Sequence, residues 1–335
     1  MSISALSSRV SRRVVVSAAA LMMGLAATSG PAVAADKVTF LTSWYAQAEH
    51  GGFYQAKATG LYEKAGLDVT VRMGGPQVNA MQLLLAGEVD VIMGYDIQAL
   101  KGIEQGLPVV TIGTSFQYDL QGMLTHDDVK TLADLKDKTI LIASSGRTTW
   151  WPWLKKKYSY TDEQTKAYTF NLQPFFADKN VAQQGYPSSE PFQAMQQGVP
   201  HKFFLFAADG YPPYGTTMVT TRKFLEANPD AARRFVRASM EGWKSYIADP
   251  APANVLIKEA NPKMSDAQIA FGIEKMKELK VLDGGDAATK GIGTMTPERW
   301  QKTYEYLVDA GLLKAEVDWK KAFTTEFVKD MQIMM

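Results

Sequence analysis

The 335-residue chain contains no cysteine and only three histidines. Disulfide scaffolds, zinc–thiolate sites and cysteine nucleophiles are therefore excluded. His50, His126 and His201 are scattered, with no spacing suited to a shared metal ion. An excess of one charge is also missing. The 36 Lys+Arg against 35 Asp+Glu leave a net charge of +1, which argues against a nucleic-acid binder. There is no G-x-S-x-G elbow, no phosphate-binding P-loop and no dinucleotide glycine pattern. Beyond residue 34, no stretch reaches the ~18 uncharged apolar residues of a membrane span. Asp127, Asp128 and Asp134 read as a solvated loop rather than as paired catalytic carboxylates. An enzyme is disfavoured on these grounds, although catalytic groups far apart in sequence would escape such a search.

The N-terminus is built as an address. Arg9, Arg12 and Arg13 precede the charge-free apolar stretch 14–27, and Ala32-Val33-Ala34 gives a small-x-small cleavage site. Residues 1–34 are read as a secretory signal peptide, cut before Ala35 or Asp36. Ser11-Arg12-Arg13 resembles a twin-arginine signal faintly, and the general secretory route is preferred. Cleavage removes three arginines and no acid, taking the net charge from +1 to −2. Without cysteine, a lipidated N-terminal anchor is excluded, so a free, exported, periplasmic protein is expected.

The remaining chain alternates strand and helix patterns. Strands are expected at 38–42, 67–73, 89–93 and 109–115, then at 138–143, 203–207 and 218–221. Helices are expected between the early strands, with Gly60, Gly87 and Gly106 as stops. The order is that of a parallel α/β protein. Thr39–Leu41 resembles Ile140–Ile142, and the interval from Ala86 to Gly94-Tyr95 matches that from Ala177 to Gly185-Tyr186. These loose echoes suggest two lobes of similar design. From Arg222 onward the pattern is helical. Pro229 opens a helix with Val236, Met240, Trp243 and Ile247 on one face. Thr296 is placed to cap another, with Pro297 at its first position and Trp300, Tyr304 and Leu307 facing inward.

Aromatic and polar residues gather at the expected strand ends, where ligands sit in open α/β sheets. Trp44-Tyr45 follows the first strand, and Trp150, Trp151 and Trp153 follow a later one. Such rings can stack on a flat ligand or pack a lobe core. Ser144-Ser145-Gly146-Arg147 lies at a strand-to-helix junction, suited to an anion or to an ordinary helix cap. Glu190, after the turn begun by Tyr186, can accept hydrogen bonds from a ligand amino group or serve as a helix N-terminal charge. Asp96 is read as a cap first and a ligand contact second. His50 is read as a surface residue or a ligand contact.

Several segments carry a family likeness: Phe40–Tyr45, His50–Ala56, Gly60–Tyr62, Gly66–Val69, Ala86–Val91, Asp134–Ile140 and Asn228–Ala238. In order and spacing they resemble the exported solute-binding proteins of ABC importers, in the group that binds nitrate, sulfonates, taurine and thiamine-pyrimidine precursors. The likeness implies an α/β, two-lobed periplasmic binding protein fold of type II-like design, each lobe a mainly parallel sheet flanked by helices. It places 36–122 with 217–335 in one lobe and 123–216 in the other. It also implies a monomer, a small-molecule ligand in the cleft, an ABC permease as partner and no cofactor. His50 and Glu190 fall where the chain resembles the pyrimidine-precursor binders. With Trp44 and Trp150 they would suit an amino-heterocycle, while a sulfonate or nitrate would lean on Ser144 to Arg147. A pyrimidine synthase belongs to the same likeness. Its cysteine run is absent here, and Gly94–Gln98 offers neither Lys nor His.

Overall fold

Strand β1 (Asp36–Leu41) buries Val38, Phe40 and Leu41 near the start of the described residues, 34–335 of a computed structural model. The signal peptide read in residues 1–34 lies outside them except for Ala34. β2 (Leu67–Arg72) alternates buried Leu67 and Val69 with exposed Asp68 and Thr70, as an edge strand with one wet face does. β3 (Val91–Gly94) and β4 (Val109–Phe116) are buried along their whole length, which is why they read as continuous apolar or small-residue runs. The chain then leaves this sheet.

A second sheet holds β5 (Gly122–His126), β6 (Thr139–Ile142), β7 (Thr165–Ala167), β8 (Val181–Gly185) and β9 (His201–Leu205). The chain returns to the first sheet as β10 (Gly215–Thr221). The strand orders are β2-β1-β3-β10-β4 and β7-β6-β8-β5-β9. In each sheet four strands run one way and one runs against them. The reversed strands are β10 and β5, each the first strand entered after the chain changes sheet.

The two orders superimpose position by position: β6 stands where β1 stands, and β8 where β3 stands. The echoes in sequence therefore join equivalent strands of the two sheets. The interval ending at Gly185-Tyr186 marks β8, which sequence pattern alone did not delimit, and β5 and β7 were not foreseen at all. Other elements shift. The strand expected at 89–93 is Val91–Gly94, and that at 203–207 is His201–Leu205, followed by a short turn. The helix expected from Arg147 is two pieces, Ser144–Thr148 and Trp151–Tyr158.

The chain passes between sheets at 117–121 and 210–214. These segments lie side by side, with Asp119 N donating to Pro213 O at 3.2 Å. Arg299 fastens both: its Nη2 donates to Gln117 O at 2.9 Å and to Pro212 O at 3.4 Å. The Arg299 guanidinium also lies 4.6 Å from the centre of the Tyr214 ring.

The C-terminal helices cover the first sheet. Pro229–Ala248 buries Val236, Met240 and Trp243 fully, with Ile247 half-buried. The Trp243 indole N–H donates to Ser115 Oγ at 3.0 Å, so its polar atom is satisfied in the core. Thr296 caps Pro297–Asp309 by accepting from Arg299 N, and Trp300 and Leu307 are buried while Tyr304 is half-buried. Gly242 lets the long helix meet Gly51–Ala58 backbone to backbone. An ideal Cβ there would stand 2.2 Å from Gly52 O. Gly242→Ala should therefore push the helices apart and lower stability by about 1–3 kcal/mol. Chemical denaturation checks this; an unchanged midpoint would refute the packing account. Among the described residues no helix is long and apolar enough to cross a membrane.

Candidate functional site

The carboxyl ends of β1, β3, β6 and β8 point at one another across the gap between the sheets. A cavity lies there, its roughly 440 Å³ of empty space including open solvent. The loop after β1 supplies Ser43, Trp44, Gln47, Glu49 and His50, and the end of β3 supplies Met93 and Tyr95. From the other sheet come Ser145 after β6, and Gln184, Gly185, Tyr186 and Glu190 at and after β8. Gln121 enters from the first crossing segment and Thr216 from the start of β10.

The lobes touch around this cavity. Ser188 Oγ donates to Glu49 Oε1, and Ser189 Oγ bonds Gln47 Oε1 at 3.3 Å. Ser144 Oγ bonds Gln77 Oε1 at 2.9 Å, and Ser144 N donates to Pro76 O at 3.0 Å. The Trp44 ring stacks on Tyr168 at 5.8 Å. Tyr95 and Tyr186, which occupy matching positions after β3 and β8, bring their hydroxyls within 3.3 Å.

Five expected residues line the cavity: Trp44, His50, Ser145, Tyr186 and Glu190. His50 is buried, not on the surface, and burial drives its imidazole down to about 3, so the ring is neutral. Its Nδ1 has no partner among the described residues. The Glu190 carboxylate accepts from Tyr168 OH and from Tyr186 N, each at 2.8 Å. It fits beneath β8 because residue 185 is glycine; a Cβ there would meet Glu190 Oε2 at 2.8 Å. Burial raises Glu190 to about 7 against those two stabilising bonds.

Six expected residues do not line it. Trp150 is 1% exposed and packs on Phe206 at 5.0 Å inside the second lobe, so the core reading wins there. Gly146 lies against the Trp150 ring. Arg147 is exposed and donates to Thr165 Oγ1 at 2.9 Å, away from the cleft. Ser144 N donates to Pro76 O, so one N–H of the Ser144–Arg147 junction is spent on a contact between the lobes. Tyr45 packs on Phe170 at 5.9 Å across the outer rim. Asp96 is not the helix cap but the first residue of the helix Asp96–Glu104, after Tyr95. Fully buried, it accepts from Ile97 N at 2.8 Å and Tyr214 N at 2.9 Å, tying the second crossing segment to the first lobe.

Sequence reading missed Glu49, Tyr95, Gln121 and Thr216. A signal for Tyr95 was present, since the Gly94-Tyr95 and Gly185-Tyr186 echo names both tyrosines. The electrostatics are lopsided. No Lys or Arg lines the cavity, while Glu49 and Glu190 do, and burial raises the carboxyls of both. Behind them Asp119, also raised by burial to about 7, accepts from Tyr186 OH at 3.3 Å.

The sequence pattern of the NMT1/THI5 like family matches residues 47–253. The riboflavin-binding protein RibY of Chloroflexus aurantiacus is 27% identical over 317 residues, covering 90% of each chain. The 4-amino-5-hydroxymethyl-2-methylpyrimidine phosphate synthase of Aspergillus parasiticus is 23% identical over 235 residues, 65% of this chain and 69% of that one. Among solved structures, the periplasmic aliphatic sulphonate binding protein SsuA of Escherichia coli superposes with a TM-score of 0.63. It is 14% identical, over 87% of this chain and 92% of that one. That likeness is one of fold: two lobes, each a mixed sheet flanked by helices.

Proposed function

The chain belongs to the NMT1/THI5 like family, and from that premise we propose that it captures a small planar nitrogen heterocycle between its lobes and delivers it, unchanged, to an ABC permease. The observation that carries this reading is the cavity's polarity: aromatic rings and buried carboxyls with no cationic side chain. An amino or ring N–H group finds acceptors there, and the Trp44 and Tyr186 rings offer apolar faces. A sulfonate or nitrate would instead face Glu49 and Glu190, with Arg147 turned outward. The export signal read in residues 1–34 fits capture in the periplasm.

Riboflavin, named in the Chloroflexus relative, and the aminopyrimidine named in the Aspergillus relative are both planar nitrogen heterocycles and are the first probes. A synthase reading is less well supported. The chain has no cysteine, and Gly94–Gln98, which closes β3 against the cavity, carries neither Lys nor His. A ligand present at 100 times its dissociation constant adds about 2.7 kcal/mol to stability by mass action. Riboflavin or the aminopyrimidine should thus raise the melting temperature by several degrees, and ethanesulfonate or nitrate should not. Mass spectrometry should recover the heterocycle unaltered. A shift with the anions alone, or a converted product, would overturn the assignment.

A further inference from the structure

Most polar groups around the cavity are already engaged. Glu49 is held by Ser188, Glu190 by Tyr168 and Tyr186, and the Tyr95 and Tyr186 hydroxyls by each other. Besides His50 Nδ1, two side chains are not: Gln121, which ends the first passage between the sheets, and Thr216, just past the second at the start of β10. Gln121 is 6% exposed and Thr216 is 2% exposed, yet Gln121 Oε1 and Thr216 Oγ1 have no partner among the described residues. Both residues line the cavity. Buried polar atoms are seldom left unpaired, so each such atom calls for an occupant that completes it.

We infer that Gln121 and Thr216 read the hydrogen-bonding edge of the ligand, so that specificity resides where the chain crosses between lobes. This rests on the heterocycle-binding reading and sharpens it to a ligand that presents an N–H donor toward the crossing segments. The backbone holds Gln121 firmly. Its N donates to Asp119 Oδ1 at 3.0 Å and its carbonyl accepts from Phe206 N at 3.0 Å. Its side chain lies beside the Tyr95 hydroxyl, and Oε1 is left without a partner among the described residues.

Thr216 is held differently. Its φ is +49°, a left-handed value that a β-branched residue adopts only when its surroundings impose it. The constraint sits next door: Thr114 Oγ1 donates to Gly215 O at 2.7 Å, and Gly215 pairs with Phe116. The residue is thereby fixed at the cavity wall, where its hydroxyl would accept from or donate to a ring atom beside the N–H.

The test combines two near-isosteric variants with a ligand that lacks the donor. Gln121→Met and Thr216→Val are titrated with riboflavin and with 4-amino-5-hydroxymethyl-2-methylpyrimidine. Their N-methylated counterparts (ring N–H methylated in the first, amino group dimethylated in the second) are titrated alongside. Loss of one hydrogen bond to a buried acceptor should weaken the bound probe about tenfold. Methylation should cost the wild type a similar factor and the Gln121→Met variant much less. The ligand-free melting temperature of that variant should hold or rise, because an unpaired atom has been removed. Equal affinity in wild type and variants would overturn the inference while leaving heterocycle binding intact. So would an affinity loss accompanied by a lower ligand-free melting temperature, the mark of a structural water. If a variant fails to fold, methylation of the ligand tests the wild type alone, and no penalty there is equally decisive. Binding of neither probe by the wild type would remove the heterocycle reading itself, and the inference with it.

Discussion

Glu190→Gln is expected to weaken capture of an amino-substituted heterocycle roughly 10- to 100-fold, the factor for exchanging a charge-assisted hydrogen bond for a neutral one. Tyr168 OH and Tyr186 N each occupy one lone pair of the carboxylate, and each oxygen keeps another for the ligand. Glutamine preserves the shape. Its oxygen can take the Tyr186 N–H while its amide nitrogen turns to the Tyr168 hydroxyl, so the lobe should still fold. The pH profile separates charge from shape. Burial holds Glu190 near 7 in the empty protein, and a donor on the ligand favours the ionised carboxylate. Wild-type affinity should rise with pH and level off above about 7, whereas the Glu190→Gln profile should be flatter. Isothermal titration between pH 5.5 and 8.5 provides the comparison. Tighter binding of a sulfonate by the variant, with heterocycle affinity unmoved, would reverse the assigned polarity of the cleft.

The parts of the site written in local pattern were readable. Trp44, His50, Ser145, Tyr186 and Glu190 each follow a strand in sequence, and β1, β6 and β8 carry them to the cavity mouth. Trp150 also follows a strand, but periodicity does not say which way a helix faces. The ring turned to Phe206 because the second lobe has its own core to fill. Arg147 failed for the same reason, pointing to Thr165. Gln121 and Thr216 carried no local signal. Gln121 ends one of two distant segments, 117–121 and 210–214, that run side by side, and Thr216 lies just past the other, so their neighbourhood exists only after both sheets have formed. Asp96 looked like a cap because acidic residues gather in first helical turns. Its actual partner, Tyr214 N, lies 118 residues away.

Without ligand, the protein should be more stable at pH 5 than at pH 8. Burial raises Asp96, Asp119 and Glu190 to about 7, and Glu49 is raised as well. Unfolding returns these groups to the ordinary carboxylate range, so between about pH 4.5 and 7 the folded chain holds more protons than the unfolded one. Stability then falls as pH rises and the loss is complete once the folded values are passed. His50 acts oppositely. Held down to about 3, it lowers stability as pH falls below its ordinary 6.5, and so offsets one carboxyl at the acid end of the window. Surface acids such as Asp128 and Asp162, held down by Lys138 and Lys155, matter only at lower pH. Each net proton held over about two pH units amounts to roughly 3 kcal/mol, or about 6–10 °C of melting temperature. Asp119→Asn isolates the cause. Asp119 Oδ2 has no partner among the described residues, and Oδ1 already accepts from Gln121 N and Tyr186 OH. An amide can keep both bonds without a buried charge. The variant should be more stable than wild type at pH 8, about equal at pH 5, and shallower in slope. Scanning calorimetry at pH 5, 6, 7 and 8 measures all three, and a wild-type melting point that climbs across this range would contradict the account of these buried carboxyls.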